Sequence, residues 1–326
     1  MSRSFGQFVR DQRTTLPLIP TAELCAGKTF IVTGGNTGLG YEAVKHLVTF
    51  SSRRVILTAR SDDKGKQAVS SIEAATGKTG IVEYWNLDLT SYDSIKSFAR
   101  KVAALDRLDA IIENAGVALA EFTTAEGVET SLTVNVTGTY LLAILVLPKL
   151  RETAKKFNTS TRLTIIGSSV AFQVPGKLEG IDGDFLEHLS AKANGMADRY
   201  QTSKLLQFYA FRELAARNPL RETGVIINWV NPGLCYSELT RNAPFLVRTQ
   251  INVMRLLLAR STEVGSRTLL HGAFAGEESH GSYLSECTEK NDTVPEYITN
   301  ASGKAIQKRV WDSLAKRLNT TQPGCA

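Results

Sequence analysis

Apolar residues along this chain fall into short β-branched runs separated by stretches with helical spacing. Six runs, at 28–34, 54–58, 81–85, 108–112, 163–167 and 225–230, read as buried strands of a parallel sheet. Between them, apolar positions recur at helical spacing over 41–50, 64–75, 91–104, 125–151 (with a break) and 198–217. In 41–50 the inner side carries Ala43, Val44, Leu47 and Val48. The alternation predicts an α/β fold: one domain with a doubly wound parallel sheet that binds ligands beyond the carboxyl ends of its strands. Both ends lie outside this pattern. Residues 1–26 combine Phe5, Phe8 and Val9 with Arg3, Arg10 and Arg13, which predicts a short amphipathic helix capping the body, with peripheral membrane contact as the alternative. Residues 292–317 predict a C-terminal helix through Val310, Leu314 and Leu318, its start weakened by Gly303. The chain therefore divides into an N-terminal extension (1–26), a body (27–290) and a C-terminal helical extension (291–326).

Composition narrows the class. The 326 residues, 43% apolar, suffice for a full core. The net charge of +6 is dispersed, which argues against a nucleic-acid partner. Cysteines at 25, 235, 287 and 325 show neither metal-ligand spacing nor a disulfide framework, so no metal is expected. The first twenty residues lack an apolar signal core, and the run 141–147 is too short to span a bilayer before Pro148. The expectation is a cytoplasmic protein without an integral membrane segment.

Two motifs carry chemistry. Gly34, Gly35, Asn36, Thr37, Gly38, Leu39 and Gly40 follow the first strand and open a helix. Glycines there let a backbone approach a pyrophosphate, and the helix N-terminus offers it unpaired N–H groups. The second motif is Tyr200-Gln-Thr-Ser-Lys204, whose tyrosine and lysine share a helix face. A neighbouring ammonium favours phenolate and can lower a tyrosine pKa toward the range useful for proton exchange. The spacing alone is weak, because Tyr41 with Lys45 and Tyr92 with Lys96 repeat it.

Seven motifs in order over residues 27–290 resemble the short-chain dehydrogenase/reductase family, of the retinol-dehydrogenase-like or fungal reductase type. They are the glycine turn 33–40; Asp88 with Leu89; Asn114-Ala115-Gly116; Asn135; Ser169; Tyr200 with Lys204; and Pro232-Gly233. The resemblance implies a Rossmann fold and hydride transfer between a nicotinamide cofactor and a carbonyl carbon. Tyr200 would donate the proton and Ser169 would polarise the carbonyl oxygen. Lys204 would hold the nicotinamide ribose and depress the Tyr200 pKa. Asn135 would anchor a water leading to Lys204. Ser168 and Ser169 point to opposite sides of a strand end, and the family pattern selects the second. Gly34, Asn36, Thr37, Gly38, Leu39, Gly40, Asp88, Leu89, Asn114, Ala115, Gly116, Pro232, Gly233 and Ser237 would line the cofactor with Tyr200 and Lys204. Glu113 stands where the family more often has asparagine. A homodimer would pair through the helices carrying Asn135 and Tyr200.

Other features refine this expectation. The second strand ends in Thr58-Ala59-Arg60-Ser61, with no acid before Asp62. Arg60 suits a 2′-phosphate, so NADP(H) is expected over NAD(H). The long interval 170–199 resembles an insertion; it is either a wall of the substrate pocket or a surface loop, with a short helix expected over 185–192. The apolar stretch 245–258 predicts a lid and a hydrophobic carbonyl or alcohol substrate. Fungal relatives of this kind set the reaction in secondary-metabolite biosynthesis. The resemblance also leaves open reduction coupled to cyclisation, dehydration or epimerisation, and a non-catalytic NADP(H) sensor.

Overall fold

A computed structural model describes residues 5–236 and 254–326. Its centre is one eight-stranded sheet. The strands are β1 (Thr29–Val32), β2 (Arg54–Ala59), β3 (Val82–Asn86), β4 (Ala110–Glu113), β5 (Thr161–Ile166), β6 (Val225–Asn231), β7 (Tyr283–Ser285) and β8 (Thr288–Glu289). Their order is β8-β7-β6-β5-β4-β1-β2-β3, and every pairing is parallel except β7 with β8. The order reverses between β1 and β4, where a doubly wound sheet opens its ligand crevice. All six expected strands are present. β7 and β8 were missed because two or three residues are too few to show a period.

Among the described residues, eight longer helices frame the sheet: α1 (Phe5–Gln12), α2 (Gly38–Thr49), α3 (Asp62–Thr76), α4 (Tyr92–Ala103), α5 (Thr139–Phe157), α6 (Arg199–Arg217), α7 (Thr262–Phe274) and α8 (Ala301–Thr321). Strand side chains alternate between two cores. Phe30, Val32, Val55, Leu57 and Ile112 meet α2 and α7 on one face, while Ile31, Ile56, Ile111 and Leu163 meet α4, α5 and α6 on the other. The expected break before α5 is a π-helical turn over Thr133–Gly138, preceded by the short hairpin of Thr124–Ala125 and Val128–Glu129. Pro148 does not end that helix; it lies inside α5. Burial of Leu142, Val146 and Leu150 around it offsets the lost backbone hydrogen bond. Residues 130–157 are long and apolar enough to cross a membrane, yet 83% of the most apolar window is buried inside the protein.

The insertion joins the core through Leu178, Ile181, Phe185, Leu186 and Leu189, and so is more than a surface loop. Its helix is shorter than expected, Phe185–Leu189, because Ser190 closes it. It leans on α8: the Phe185 N–H donates to Ser313 Oγ at 3.1 Å, and the Arg309 guanidinium donates to Ile181 O and sits over the Phe185 ring. α8 also lies along α6 and reaches the π-turn. The chain thus covers part of the face through which the resemblance implies pairing.

β4 ends on Glu113, which is 3% exposed, with no hydrogen-bond partner for either carboxylate oxygen among the described residues. Burial pushes its pKa well above the usual carboxylate range, which favours the protonated form. In the unfolded chain a glutamate ionises near about 4.3. The folded state therefore binds a proton that unfolding releases. Stability is full below the unfolded pKa and declines as pH rises toward the folded one. Glu113→Gln is expected to raise the melting temperature by a few degrees near neutral pH and by less near about pH 4. Thermal denaturation across pH checks this; a gain independent of pH would mean that Glu113 does not titrate on unfolding.

Candidate active site

The glycine turn leaves β1 at the sheet's switch point. Gly34 and Gly38 have φ of 63° and 58°, a left-handed backbone that glycine adopts without strain. Thr37 precedes α2 but makes no side-chain cap. The first-turn N–H groups of α2 therefore remain directed outward, as a diphosphate requires. Cross-links hold the turn. Asn114 Nδ2 donates to Thr33 O (2.9 Å) and Gly34 O (3.4 Å), the Ala115 N–H to Thr33 Oγ1 (2.9 Å), and the Gly34 N–H to Thr58 Oγ1 (3.2 Å). Asp88 accepts the Thr90 N–H and hydroxyl at 2.9 and 2.7 Å, which shapes the turn after β3. Leu89 O lies against Gly138, where a Cβ would come within 2.5 Å of it. Arg60 is exposed beyond β2, and its backbone carbonyl accepts from Asn86. The nearest acid, Asp62, is engaged by the Tyr84 hydroxyl at 2.7 Å and by Asn86; these hydrogen bonds lower its pKa.

Tyr200 and Lys204 lie in the first turns of α6. The two other Tyr-x-x-x-Lys copies end in ion pairs, Lys45 with Glu42 and Lys96 with Asp93. Lys204 differs: it is 4% exposed, and Nζ donates to Ile166 O at 2.8 Å and to Gln207 Oε1 at 3.1 Å. Burial without a facing carboxylate among the described residues pushes its pKa down to about 7. Asn135, in the π-turn, donates through Nδ2 to Val117 O (2.8 Å) and Ser203 Oγ (3.0 Å), while its Oδ1 accepts the Val117 N–H at 2.9 Å. Ser203 in turn donates to Tyr200 O at 2.7 Å. The Asn114–Gly116 turn closes over them: a Cβ on Gly116 would lie 3.2 Å from Asn135 Oδ1 and 3.8 Å from Lys204 Nζ.

Gln207 joins Asn135 to Lys204 within the protein itself. Its Nε2 donates to Asn135 O at 2.8 Å, and its Oε1 accepts from Lys204 and from Trp229 Nε1 (3.2 Å).

A side-chain hydrogen bond links Ser168, the neighbour of the expected Ser169, to Tyr200. The Gly167 N–H still donates to Val230 O and Ser168 is extended, so the strand direction persists through 168. The chain then turns into the 3-10 helix Ser169–Gln173, with the Ser169 N–H on Asn231 Oδ1 at 3.0 Å.

The expected depression of the Tyr200 pKa does not occur. Burial pushes it up to about 12, against a smaller lowering by the Ser168 hydrogen bond. Lys204 is itself lowered to about 7 by burial.

Pro232 and Gly233 follow β6 as expected. Ser237 and the stretch 237–253, with most of the expected lid, lie outside the described residues. Residues 254–258 are helical, with Leu256 and Leu257 exposed. Cys235 is buried, and burial pushes its thiol up to about 12, which makes it unreactive. Gln207 and Trp229 were missed, whereas Ser168 was weighed against Ser169 in the sequence. Gln207 had a readable signal, three residues beyond Lys204 on the same helix face; Trp229 in the sixth strand had none.

Residues 28–175 match the family described as short chain dehydrogenase. Short chain dehydrogenase/reductase dmxR8 of Cryptosporiopsis sp. is 43% identical over 306 residues, covering 92% of this chain and 93% of that protein. Short chain dehydrogenase FGM9 of Gibberella zeae is 36% identical over 324 residues, covering 98% and 93%. Among solved structures, the Pseudomonas aeruginosa RhlG/NADP active-site complex superposes with a TM-score of 0.60 at 23% identity, covering 79% of this chain and 94% of that one. The NADPH-bound carbonyl reductase from chicken fatty liver superposes with a TM-score of 0.58 at 22% identity, covering 80% and 96%. These structures share the fold.

Ser168→Ala is expected to lower kcat for carbonyl reduction by about 10²-fold, as loss of a polarising donor does, and Ser169→Ala by less than about tenfold. Steady-state kinetics of both variants check this; the reverse ranking would return the role to Ser169.

Proposed function

The chain belongs to the short-chain dehydrogenase/reductase family, and from that premise we propose that it is an NADP(H)-dependent oxidoreductase reducing the carbonyl of a hydrophobic small molecule, or oxidising the corresponding alcohol. The observation that carries the reading is the buried set of Tyr200 with Ser168 and of Lys204 on Gln207, which in turn donates to Asn135, beside a helix N-terminus left uncapped for a diphosphate.

When bound, the nicotinamide supplies or accepts the hydride. The protein supplies position and a proton. With its pKa raised, Tyr200 holds its proton at neutral pH and gives it to an oxygen only as charge develops there. Ser168 donates to the same region and steadies that charge. Lys204, tethered to Ile166 O, borders Tyr200 with a third N–H direction left for a ribose hydroxyl. In the reverse direction Tyr200 takes up the proton.

Arg60 supports the phosphorylated cofactor. It is exposed at the end of β2, while Asp62, the first carboxylate after it, is tied back to Tyr84 and Asn86. The comparison structures include NADP- and NADPH-bound proteins and an NADH-dependent reductase, so they support a nicotinamide cofactor more broadly. Tyr236, Leu256 and Leu257 leave apolar surface on the segments flanking 237–253, which suits an apolar substrate. The fungal origin of the relatives supports a biosynthetic setting.

Tyr200→Phe is expected to lower kcat by about 10²-fold or more while NADPH affinity is kept. NADPH oxidation against hydrophobic ketones, aldehydes and quinones, with a parallel binding titration, tests it; undiminished turnover would mean that another group donates the proton. Arg60→Ala is expected to raise the KM for NADPH by about tenfold and that for NADH by less than about twofold. Equal changes would remove the basis for preferring the phosphate.

A further inference from the structure

We propose that Gln12, brought in by the N-terminal extension, is a positioning residue for the candidate active site, clamping the Pro232–Leu234 turn to the chain returning at 258–260. This rests on the reading of that turn as part of a nicotinamide site. Gln12 is 6% exposed, and its amide is fully used. Nε2 donates to Leu234 O and to Leu258 O, both at 2.9 Å, and Oε1 accepts the Leu234 N–H at 3.0 Å. One side chain thus joins the two stems of the segment that leaves β6 and returns at Arg260.

The stems also meet directly. The Arg260 N–H donates to Leu234 O at 2.9 Å and the Tyr236 N–H to Arg260 O at 3.0 Å, a one-residue parallel bridge between Cys235 and Arg260. The buried Arg260 guanidinium donates to Pro232 O at 3.0 Å and to Asp11 O, and lies 3.6 Å from Glu286. Gly233 shows how tightly the clamp closes. Its φ is 77°, and a Cβ there would lie 2.4 Å from Gln12 Oε1 and 2.6 Å from Arg260 Nη1. Only glycine admits both groups.

The clamp reaches the cofactor side through Cys235. A Cβ on Gly265 would meet Cys235 Sγ at 2.5 Å and Leu39 Cδ2 at 2.6 Å, so the clamped stem and the first turn of α2 converge on one point. That turn carries the N–H groups assigned above to the diphosphate. Loosening the stem therefore frees a wall of the site without touching the groups that transfer the proton.

The test compares wild type with Gln12→Ala and with Gln12→Met, which keeps bulk and loses every hydrogen bond. Readouts are amide exchange at Leu234, NADPH affinity, and kcat against KM. The expected result is exchange at Leu234 faster by about tenfold, NADPH Kd and KM raised roughly five- to tenfold and kcat within about twofold, Met behaving as Ala does. Methionine restoring affinity would show that bulk suffices and overturn the proposal. Faster exchange with unchanged Kd and KM would make the clamp purely structural and also overturn it. Wild type alone supplies a reading that needs no variant: NADPH should slow exchange at Leu234, by reciprocity of the coupling, and unchanged exchange in the bound form refutes the role. A wild type that binds neither NADPH nor NADH would instead bring down the reductase reading, and the positioning role with it.

Discussion

An ammonium buried beneath the carboxyl ends of the sheet must be held by neutral oxygens if no carboxylate faces it, and much of the structure around Lys204 answers that requirement. Burying an unpaired charge costs several kcal/mol, on the order of what a whole buried ion pair must recover. The carbonyl of Ile166 comes from the last residue of β5. The Gln207 amide is oriented by Asn135 O on one side and by the Trp229 indole on the other. Asn135 is aimed by the π-turn, whose extra residue per turn shifts it relative to α5. Trp229 is locked by rings from Phe172, Phe208 and Tyr283, with centroids 5.0 to 6.2 Å away. That aromatic block keeps water off one side of the amide and forces glycine at 167, where a Cβ would fall inside the indole. The result is a lysine poised near neutrality beside a tyrosine that keeps its proton.

Glu113 follows the same physics from the other sign. It lies at the end of a neighbouring strand and is buried as completely, yet no ion pair between Glu113 and Lys204 occurs; burial drives each separately toward its neutral form. A pair would lock the lysine as a permanent cation. Two unpaired groups leave it responsive to charge that arrives with a ligand.

The sheet was legible because five of its strands are apolar, rich in β-branched residues and buried on both faces, a pattern with few alternatives. The glycine turn and the Tyr200–Lys204 pair were legible for a similar reason: strand, turn and helix lie within one short window. What failed was what depends on distance or on one rotation of the backbone. The choice between Ser168 and Ser169 turns on where an extended strand gives way to a 3-10 turn, set by Asn231 on another strand. The depression expected for Tyr200 left out its own desolvation, which raises the pKa instead. Gln12 meets Leu234 across 222 positions, and no local pattern announces such a contact. Pro148 lies within the helical stretch expected over 125–151: its helix-breaking cost is local, whereas the burial that outweighs it is tertiary.

The two extensions act on the two strand ends that frame the site. β5 ends at the serine pair and runs on into the insertion, which α8 holds through Phe185, Arg309 and Ser313. β6 ends at Asn231, and its onward turn is held by Gln12 from α1 and by Arg260, two residues before α7. A loop following a strand costs more to order the longer it is, though only slowly with length. A long insertion after β5 and a long excursion after β6 would each leave the reacting groups on mobile ends unless something outside the sheet fixed them. The chain meets that requirement with its own termini: each reaches the site by tying down the segment that leaves it.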